Sequence, residues 1–393
     1  MIFILLRGDN MDKNNKTFAK GFVFGVISLL VLYSISINLD LIYRKFISKQ
    51  LTAKQKVSEI ESIVNTYYVN DYDENLMRET MYKGMIVSLN DPYSYYMSKD
   101  ELNRFLEDTN GNYVGIGILV RMSDDKRILV DKVFEDSPAY EEGLKKGDKI
   151  LKIEDEEVNY NNYTDVLGKI KGEEGTKVKV TVYRESEDKT FDLKITRKSV
   201  DVPTVSHRLL DNNIGYISIS QFDRVTYEQF KEAYDNLDRA DGLIIDLRNN
   251  PGGLLTTVNK ITDLLVPEGT ITYIEDKKGN RDYYKSDASH YGKPLVVLIN
   301  GNSASASEVL SGAVRDFGVA KLVGETSFGK GVVQNTYRLT DGSGIKITMA
   351  KYYTPKGTSI HGIGIKPHYE VKNVEGNERD FQLEKAIDVI NSW

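Results

Sequence analysis

Residues 243–253 read LIIDLRNNPGG, and this stretch decides the fold class. Leu243 to Leu247 is apolar apart from one aspartate and too short for a helix, so it predicts a strand buried on both faces. Asn249, Asn250, Pro251 and the Gly252-Gly253 pair turn the chain, and Leu254 to Leu265 continues at helical spacing. The same alternation spreads outward. Ile214 to Ile219 predicts a strand and Tyr227 to Leu237 a helix. Leu295 to Ile299 predicts a strand, Ala304 to Val314 a helix, and Val319 to Val323 a further strand. Two longer strands, 332–339 and 345–353, and a helix at 380–390 close the chain. Strands alternating with helices in this way predict a layered α/β core.

Upstream the texture changes. Segments 113–120, 127–134, 149–153, 177–183 and 190–197 read as strands, with short helices opened by Ser137-Pro138 and Tyr163. Residues 109–198 are long enough for a complete small domain. Residues 54–108 read as helices, one of them stopped by Asp91-Pro92. Gly21 to Leu39 carries no formal charge. As a helix it would be roughly 28 Å long, close to a bilayer's hydrocarbon thickness. Only Ser34-Ile-Ser36 approaches a signal-peptide cleavage pattern, so an uncleaved anchor is expected. Lys13, Lys16 and Lys20 precede it and Arg44, Lys45 and Lys49 follow, which leaves its orientation open. Met11, followed by Asp-Lys-Asn-Asn-Lys, reads better as a start than Met1.

The 393 residues suffice for two or three domains. A net charge of −6 gives no sign of a nucleic-acid partner. The absence of cysteine excludes disulfides, thiolate metal sites and a cysteine nucleophile. With four histidines as well, no transition-metal site is expected.

Three segments of the α/β part carry candidate chemistry. In the first, Gly252 and Gly253 leave backbone N–H groups uncovered beside a strand end. In the second, Asn300-Gly-Asn-Ser303-Ala-Ser305-Ala-Ser307-Glu308 follows a buried strand and opens a helix, whose dipole favours developing negative charge. Its three serines could supply a helix cap, a nucleophile or both. In the third, Gly324 to Gly331 fits most of a phosphate-binding loop. It lacks the final hydroxyl, and a strand follows where a helix is required. None of His207, His290, His361 and His368 sits in a motif beside a buried strand end, which leaves lysine as a base for serine. A free lysine, pKa about 10.4, is only about 0.04% neutral at pH 7, so burial must lower that pKa. Gln334 falls on the same strand face as Lys330 and could orient its amine.

Together these segments resemble the carboxy-terminal processing, or tail-specific, serine proteases. The resemblance runs from about residue 54 to 372. It rests on Asp91-Pro-Tyr-Ser-Tyr, Gly115-Ile-Gly117, Ile170-Lys-Gly172, Asp246-Leu-Arg-x-Asn-x-Gly-Gly, Ser303-Ala-Ser-Ala-Ser-Glu, Gly329-Lys-Gly and Ile360-His-Gly-x-Gly-Ile. It implies Ser305 as nucleophile, Lys330, twenty-five residues on, as base, and Gln334 as third member. It implies an oxyanion hole from the N–H groups of Gly252 and Ala306. It also identifies residues 109–198 as a PDZ domain inserted before the core. There the amides of Val114, Gly115, Ile116, Gly117 and Ile118 would hold the carboxylate of a peptide C-terminus. Lys171 stands where the family usually has arginine, and His368 where it usually has aspartate.

The expected organisation is a cytoplasmic tail and transmembrane anchor (1–40), a helical stalk (41–108), the PDZ domain (109–198), the α/β serine protease core (199–376) and a C-terminal helix (377–393). The expected function is serine endopeptidase cleavage near protein C-termini, outside the cytoplasm, at a single-pass cell-membrane protein. Metal and cofactor are not needed. Partners would be proteins or peptides with a free C-terminus, the membrane through residues 21–39, and a second copy in a homodimer. The rival reading is a membrane-tethered PDZ scaffold with an inactive core.

Overall fold

The computed structural model describes residues 13–47, 51–123, 126–374 and 376–393. It divides into two units, one ending at Asn75 and one beginning at Leu76. The first holds two helices. α1 (Lys13–Ile47) contains Thr17–Leu39, 23 residues long and apolar enough to cross a membrane. α2 (Ala53–Tyr67) opens with a capping box: Gln55 N–H donates to Thr52 Oγ1, and Thr52 N–H donates to Gln55 Oε1. The expected start at Met11 lies outside the described residues.

α3 (Glu74–Val87), β1 (Tyr95–Met97) and α4 (Lys99–Asn110) lead into the larger unit. Ser98 and Glu101 cap the start of α4, and Gly111, at φ 71°, ends it. Residues up to Asn75 fall in the first unit, and those from Leu76 onward in the unit that contains the core.

The inserted domain follows: β2 (Asn112–Gly115), β3 (Ile118–Met122), β4 (Ile128–Val133), α5 (Pro138–Glu141), β5 (Lys149–Ile153), β6 (Glu156–Glu157), α6 (Tyr163–Gly168), β7 (Lys177–Arg184), β8 (Lys189–Thr196) and β9 (Lys198–Asp201). Strands β3-β4-β5-β7-β8 form one sheet, with β6 on β5. Its core gathers Ile116, Val130, Ile150, Val178, Val180 and Ile195. The incoming β2 and outgoing β9 pair antiparallel, Asn112 opposite Asp201. The domain is therefore joined to the rest by a two-stranded ladder.

The core comprises β10 (Val205–Leu210), β11 (Ile214–Ile219), α7 (Thr226–Asn236), β12 (Gly242–Asp246), α8 (Leu255–Asp263), β13 (Gly269–Asp276), β14 (Arg281–Ser286), β15 (Leu295–Ile299), α9 (Ala306–Phe317), β16 (Lys321–Gly324), β17 (Val332–Arg338), β18 (Gly344–Tyr353), β19 (Tyr369–Glu370) and α10 (Phe381–Asn391). One sheet has the order β10-β11-β12-β15-β16-β19, parallel from β11 onward. Strand periodicity sorts its side chains. Leu243, Ile245, Val297 and Ile299 face Phe230, Val258 and Leu310 of α7, α8 and α9. Ile244, Val296, Leu298 and Val323 face Ala386, Val389 and Ile390 of α10. The C-terminal helix is thus no separate segment: it covers the reverse face of the core sheet. A Cβ on Gly242 would meet Ile390 Cγ2 at 2.7 Å, so α10 lies directly on the sheet.

The second sheet is built on the long β18. β17 follows one edge, while β1 and β13 share the other, with β14 beyond β13. The β13–β14 hairpin is not foreseen from sequence, because β14 is largely exposed and lacks an apolar pattern.

Candidate active site

β12, β15 and β16 are neighbours and parallel, so their carboxyl ends lie at one edge of the sheet. The three chemistry-bearing segments are the loops leaving those ends. They converge for the reason that ligand sites gather at such strand ends generally. Hydrogen bonds lock them together. Asn249 N–H donates to Asn300 Oδ1, and Asn300 Nδ2 donates to Asn249 Oδ1, both at 2.9 Å. Ala304 N–H donates to Asn250 O at 3.0 Å, and Phe328 N–H to Ser303 O at 3.0 Å.

The same bonds separate the serines. Ser303 Oγ donates to Leu247 O at 2.8 Å and Ser307 Oγ to Asn250 O at 2.9 Å. Both serines are fully buried and hold the first loop against the second. Ser305 lies between them at φ 53°, ψ −111°, a strained backbone for a residue with a side chain. It stands at the N-terminal end of α9, in a cleft of about 510 Å³ also lined by Gly252, Ala306, Lys330 and Gln334. No histidine lines that cleft.

Glu308 organises this strain, and the sequence reading missed it. Its carboxylate is fully buried. Oε1 accepts from Ser327 Oγ at 2.6 Å and Gly329 N–H at 2.7 Å. Oε2 accepts from Ser305 N–H and Lys330 N–H, both at 2.8 Å. One side chain thus fixes the backbone of both Ser305 and Lys330. The signal was present: Ser305-Ala-Ser-Glu308 has capping-box spacing. Tyr352 completes the support, its hydroxyl donating to Ser305 O at 3.0 Å.

The glycines flanking Lys330 answer to the turn at 360–364. A Cβ on Gly331 would meet His361 N at 2.7 Å, and one on Gly329, at φ 90°, would meet Gly364 N at 2.9 Å. The Lys330 amine lies 4.7 Å from the Tyr93 ring centroid. Burial lowers its pKa, and the negative charges of Asp91 and Glu308 partly restore it. Asp91 is fastened by Ser94 Oγ at 2.5 Å.

Several groups are held by local partners in this structure. Gln334 Nε2 donates to Thr348 Oγ1 at 3.3 Å rather than to the lysine. Gly252 N–H donates to Asn250 Oδ1 at 2.8 Å. Gly252 is nevertheless pressed against the nucleophile segment: a Cβ there would lie 2.8 Å from Ser305 Cβ and 3.0 Å from Ala306 N. In the inserted domain, Val114 and Gly115 are paired with β9, and Ile116 is buried in the domain core. Burial raises the Tyr113 phenol pKa, and the nearby backbone N–H groups of Gly117 and Ile118 lower it. Lys171 lies over the Tyr113 ring at 5.3 Å and pairs with Glu107 of α4 at 2.8 Å. His368 is structural: its Nδ1 accepts from Leu322 N–H at 2.9 Å.

Arg248 ties the first loop to α10. It binds Asp246 and, through two nitrogens, Asp380, each of those two bonds at 2.8 Å. Burial pushes the Asp380 pKa up, but Arg248 and its other hydrogen bonds hold it at about 2.

Comparison with known proteins identifies the family. Residues 213–371 match the model of peptidase family S41, 114–195 that of a PDZ domain, and 41–101 that of the activating protease CtpB N-terminal domain. The carboxy-terminal processing protease CtpA of Bacillus subtilis is 33% identical over 366 residues, 92% of this chain and 78% of that protein. CtpB of the same organism is 35% identical over 332 residues, 83% of this chain and 69% of that protein. An S41 protease structure from Bacteroides fragilis shares the fold, with a TM-score of 0.51 at 17% identity over 83% of this chain and 92% of that one. The chain is therefore a serine-type peptidase of family S41, a PDZ-bearing member of the carboxy-terminal processing proteases.

Proposed function

We propose that this peptidase cuts protein substrates near their C-termini with a Ser305–Lys330 dyad. One observation carries the reading: the freest serine of the loop is held on a strained turn at a helix N-terminus, in one cleft with a half-buried lysine of lowered pKa. In the first step Lys330 Nζ, neutral, takes the Ser305 hydroxyl proton as Oγ attacks the scissile carbonyl carbon. The oxyanion sits at Ala306 N–H, joined by Gly252 N–H once that group leaves Asn250. Collapse breaks the C–N bond, and the Lys330 ammonium returns its proton to the leaving amine. Water, deprotonated by the Lys330 amine, then attacks the acyl carbon; the ester C–Oγ bond breaks and the Lys330 ammonium returns its proton to Ser305 Oγ. Gln334 turns from Thr348 to orient the amine.

The PDZ domain recruits the substrate's C-terminal carboxylate at the Gly117 and Ile118 amides. α1 anchors the chain in the cell membrane, with the catalytic unit outside the cytoplasm, and the protein works as a homodimer. The test is covalent labelling by a serine-directed fluorophosphonate with a peptide-cleavage assay. Wild type is labelled and active, and Ser305→Ala is neither. An unlabelled wild type would favour the inactive PDZ scaffold.

A further inference from the structure

β18 carries Lys346 and Thr348 on one face, opposite Thr336 and Gln334 of β17, and a register shift between Thr348 and Ala350 separates them from Tyr352. Tyr352 supports the Ser305 carbonyl. Lys346 lies further along the same cleft, which it lines together with Ser305 and Lys330. Its ammonium sits 4.7 Å from the Phe105 ring of α4 and 5.4 Å from the Tyr95 ring of β1. Among the described residues it has neither a carboxylate partner nor a hydrogen-bond acceptor. Burial and the like charge of Lys330 both lower its pKa. The other charged residues of the cleft do not neutralise it. Arg224 is a cation, and Asp223 is buried at the α4 end, where it accepts from Gln221 Nε2 at 2.8 Å. Two aromatic faces hold the partly desolvated ammonium and leave its N–H donors open to the cleft, where a ligand can take them.

We propose that Lys346 anchors a carboxylate of the bound substrate, making the cleft selective for acid at a set distance from the scissile bond. The inference rests on Ser305 as the attacking residue. Lys346 and Tyr352 are six positions apart on β18, and the bulge between Thr348 and Ala350 shortens the span below about 20 Å at ~3.3 Å per residue. An extended substrate covers that length in about six residues, and the reach of the lysine shortens it to about four. The carboxylate is therefore four to six residues from the cut, either an Asp or Glu side chain or the chain terminus itself.

The test uses the full chain in detergent with fluorogenic peptides sharing one cleavage site. One arm has Glu or Gln at the fifth position from the cut, with an amidated end. The other has a free or amidated end at that position and no acidic side chain. Wild type should prefer the carboxylate in at least one arm by about ten-fold in KM, and that arm identifies the source. Lys346→Gln should bring the preference close to one, Lys346→Arg should keep it, and Lys346→Glu should reverse it toward a Lys-bearing peptide. A uniform slowing of all peptides by Lys346→Gln, with a displaced pH profile, would overturn the proposal, because Lys346 would then act on Lys330. Anisotropy of the same peptides bound to Ser305→Ala, with and without Lys346→Gln, separates the two readings. A carboxylate preference that disappears with Lys346 stands even if another residue proves to be the nucleophile. Equal binding of all peptides by both proteins sinks the anchor alone.

Discussion

Glu308→Gln changes one atom type at the centre of the site and leaves its shape. Each carboxylate oxygen takes two donors within 2.8 Å, and the Tyr352 hydroxyl lies 3.5 Å from Oε2. An amide can be placed two ways. With its NH₂ toward Ser305 and Lys330, two backbone donors lose their acceptor. With its NH₂ toward Ser327 and Gly329, the serine hydroxyl can rotate and only the Gly329 N–H is orphaned. The second arrangement should prevail. An orphaned buried donor costs about 1–3 kcal/mol, and the remaining bonds lose charge assistance worth roughly 1 kcal/mol each. The total is on the order of 3–6 kcal/mol, divided between stability and the geometry of Ser305 and Lys330. If it falls on geometry, about 3–4 kcal/mol corresponds to a loss of roughly 200–1000-fold in kcat with little change in KM. If it falls on stability, Tm drops by about 4–8 °C. Peptide turnover and thermal unfolding of the same preparation measure both. A Glu308→Gln protein with kcat within three-fold of wild type and unchanged Tm would refute the role assigned to this carboxylate.

Three further expectations follow from particular contacts. Because burial lowers the Lys330 pKa and the neutral amine is the base, the rate should rise with pH through a value below the ordinary 10.5. Lys330→Arg should abolish turnover, and Asp91→Asn, which removes a charge that raises this pKa, should shift the profile to lower pH. Asp380 has a folded pKa of about 2 against an ordinary 3.8, so its pairing stabilises the protein above pH ~4 and is lost as pH falls toward 2. Partial exposure discounts this to about 1–2 kcal/mol, and chemical denaturation from pH 2 to 6 should show a flatter pH dependence for Asp380→Asn than for wild type. Tyr113→Phe removes the oxygen facing the Gly117 and Ile118 amides, so a C-terminal peptide should bind the PDZ domain about three- to ten-fold tighter by calorimetry. Unchanged affinity would show that the phenol does not compete for those amides.

What sequence alone determined is what local pattern encodes. Leu295 to Ile299 and Leu243 to Leu247 read as strands because burial on both faces produces an unbroken apolar run. Gly21 to Leu39 was legible as a candidate span because bilayer thickness sets a length. The motif segments 246–253, 303–308 and 329–331 were legible because a turn, a helix start and two close backbone approaches each restrict residue size. Only the tertiary structure decided the rest. Ser303 and Ser307 became structural when carbonyls of Leu247 and Asn250, more than fifty residues away in sequence, reached their hydroxyls. Glu308 acquired its role only when Gly329 and Lys330, more than twenty residues on, brought their N–H groups to its carboxylate. The packing partners of residues 76–108 and of α10 were not legible, because a helix's periodicity records that one face is buried, not what buries it. That was settled by β1 pairing with β18 and by Ile390 lying on Gly242. Local spacing specifies elements, whereas the partner of each buried face and each polar atom depends on contacts between segments distant in the chain.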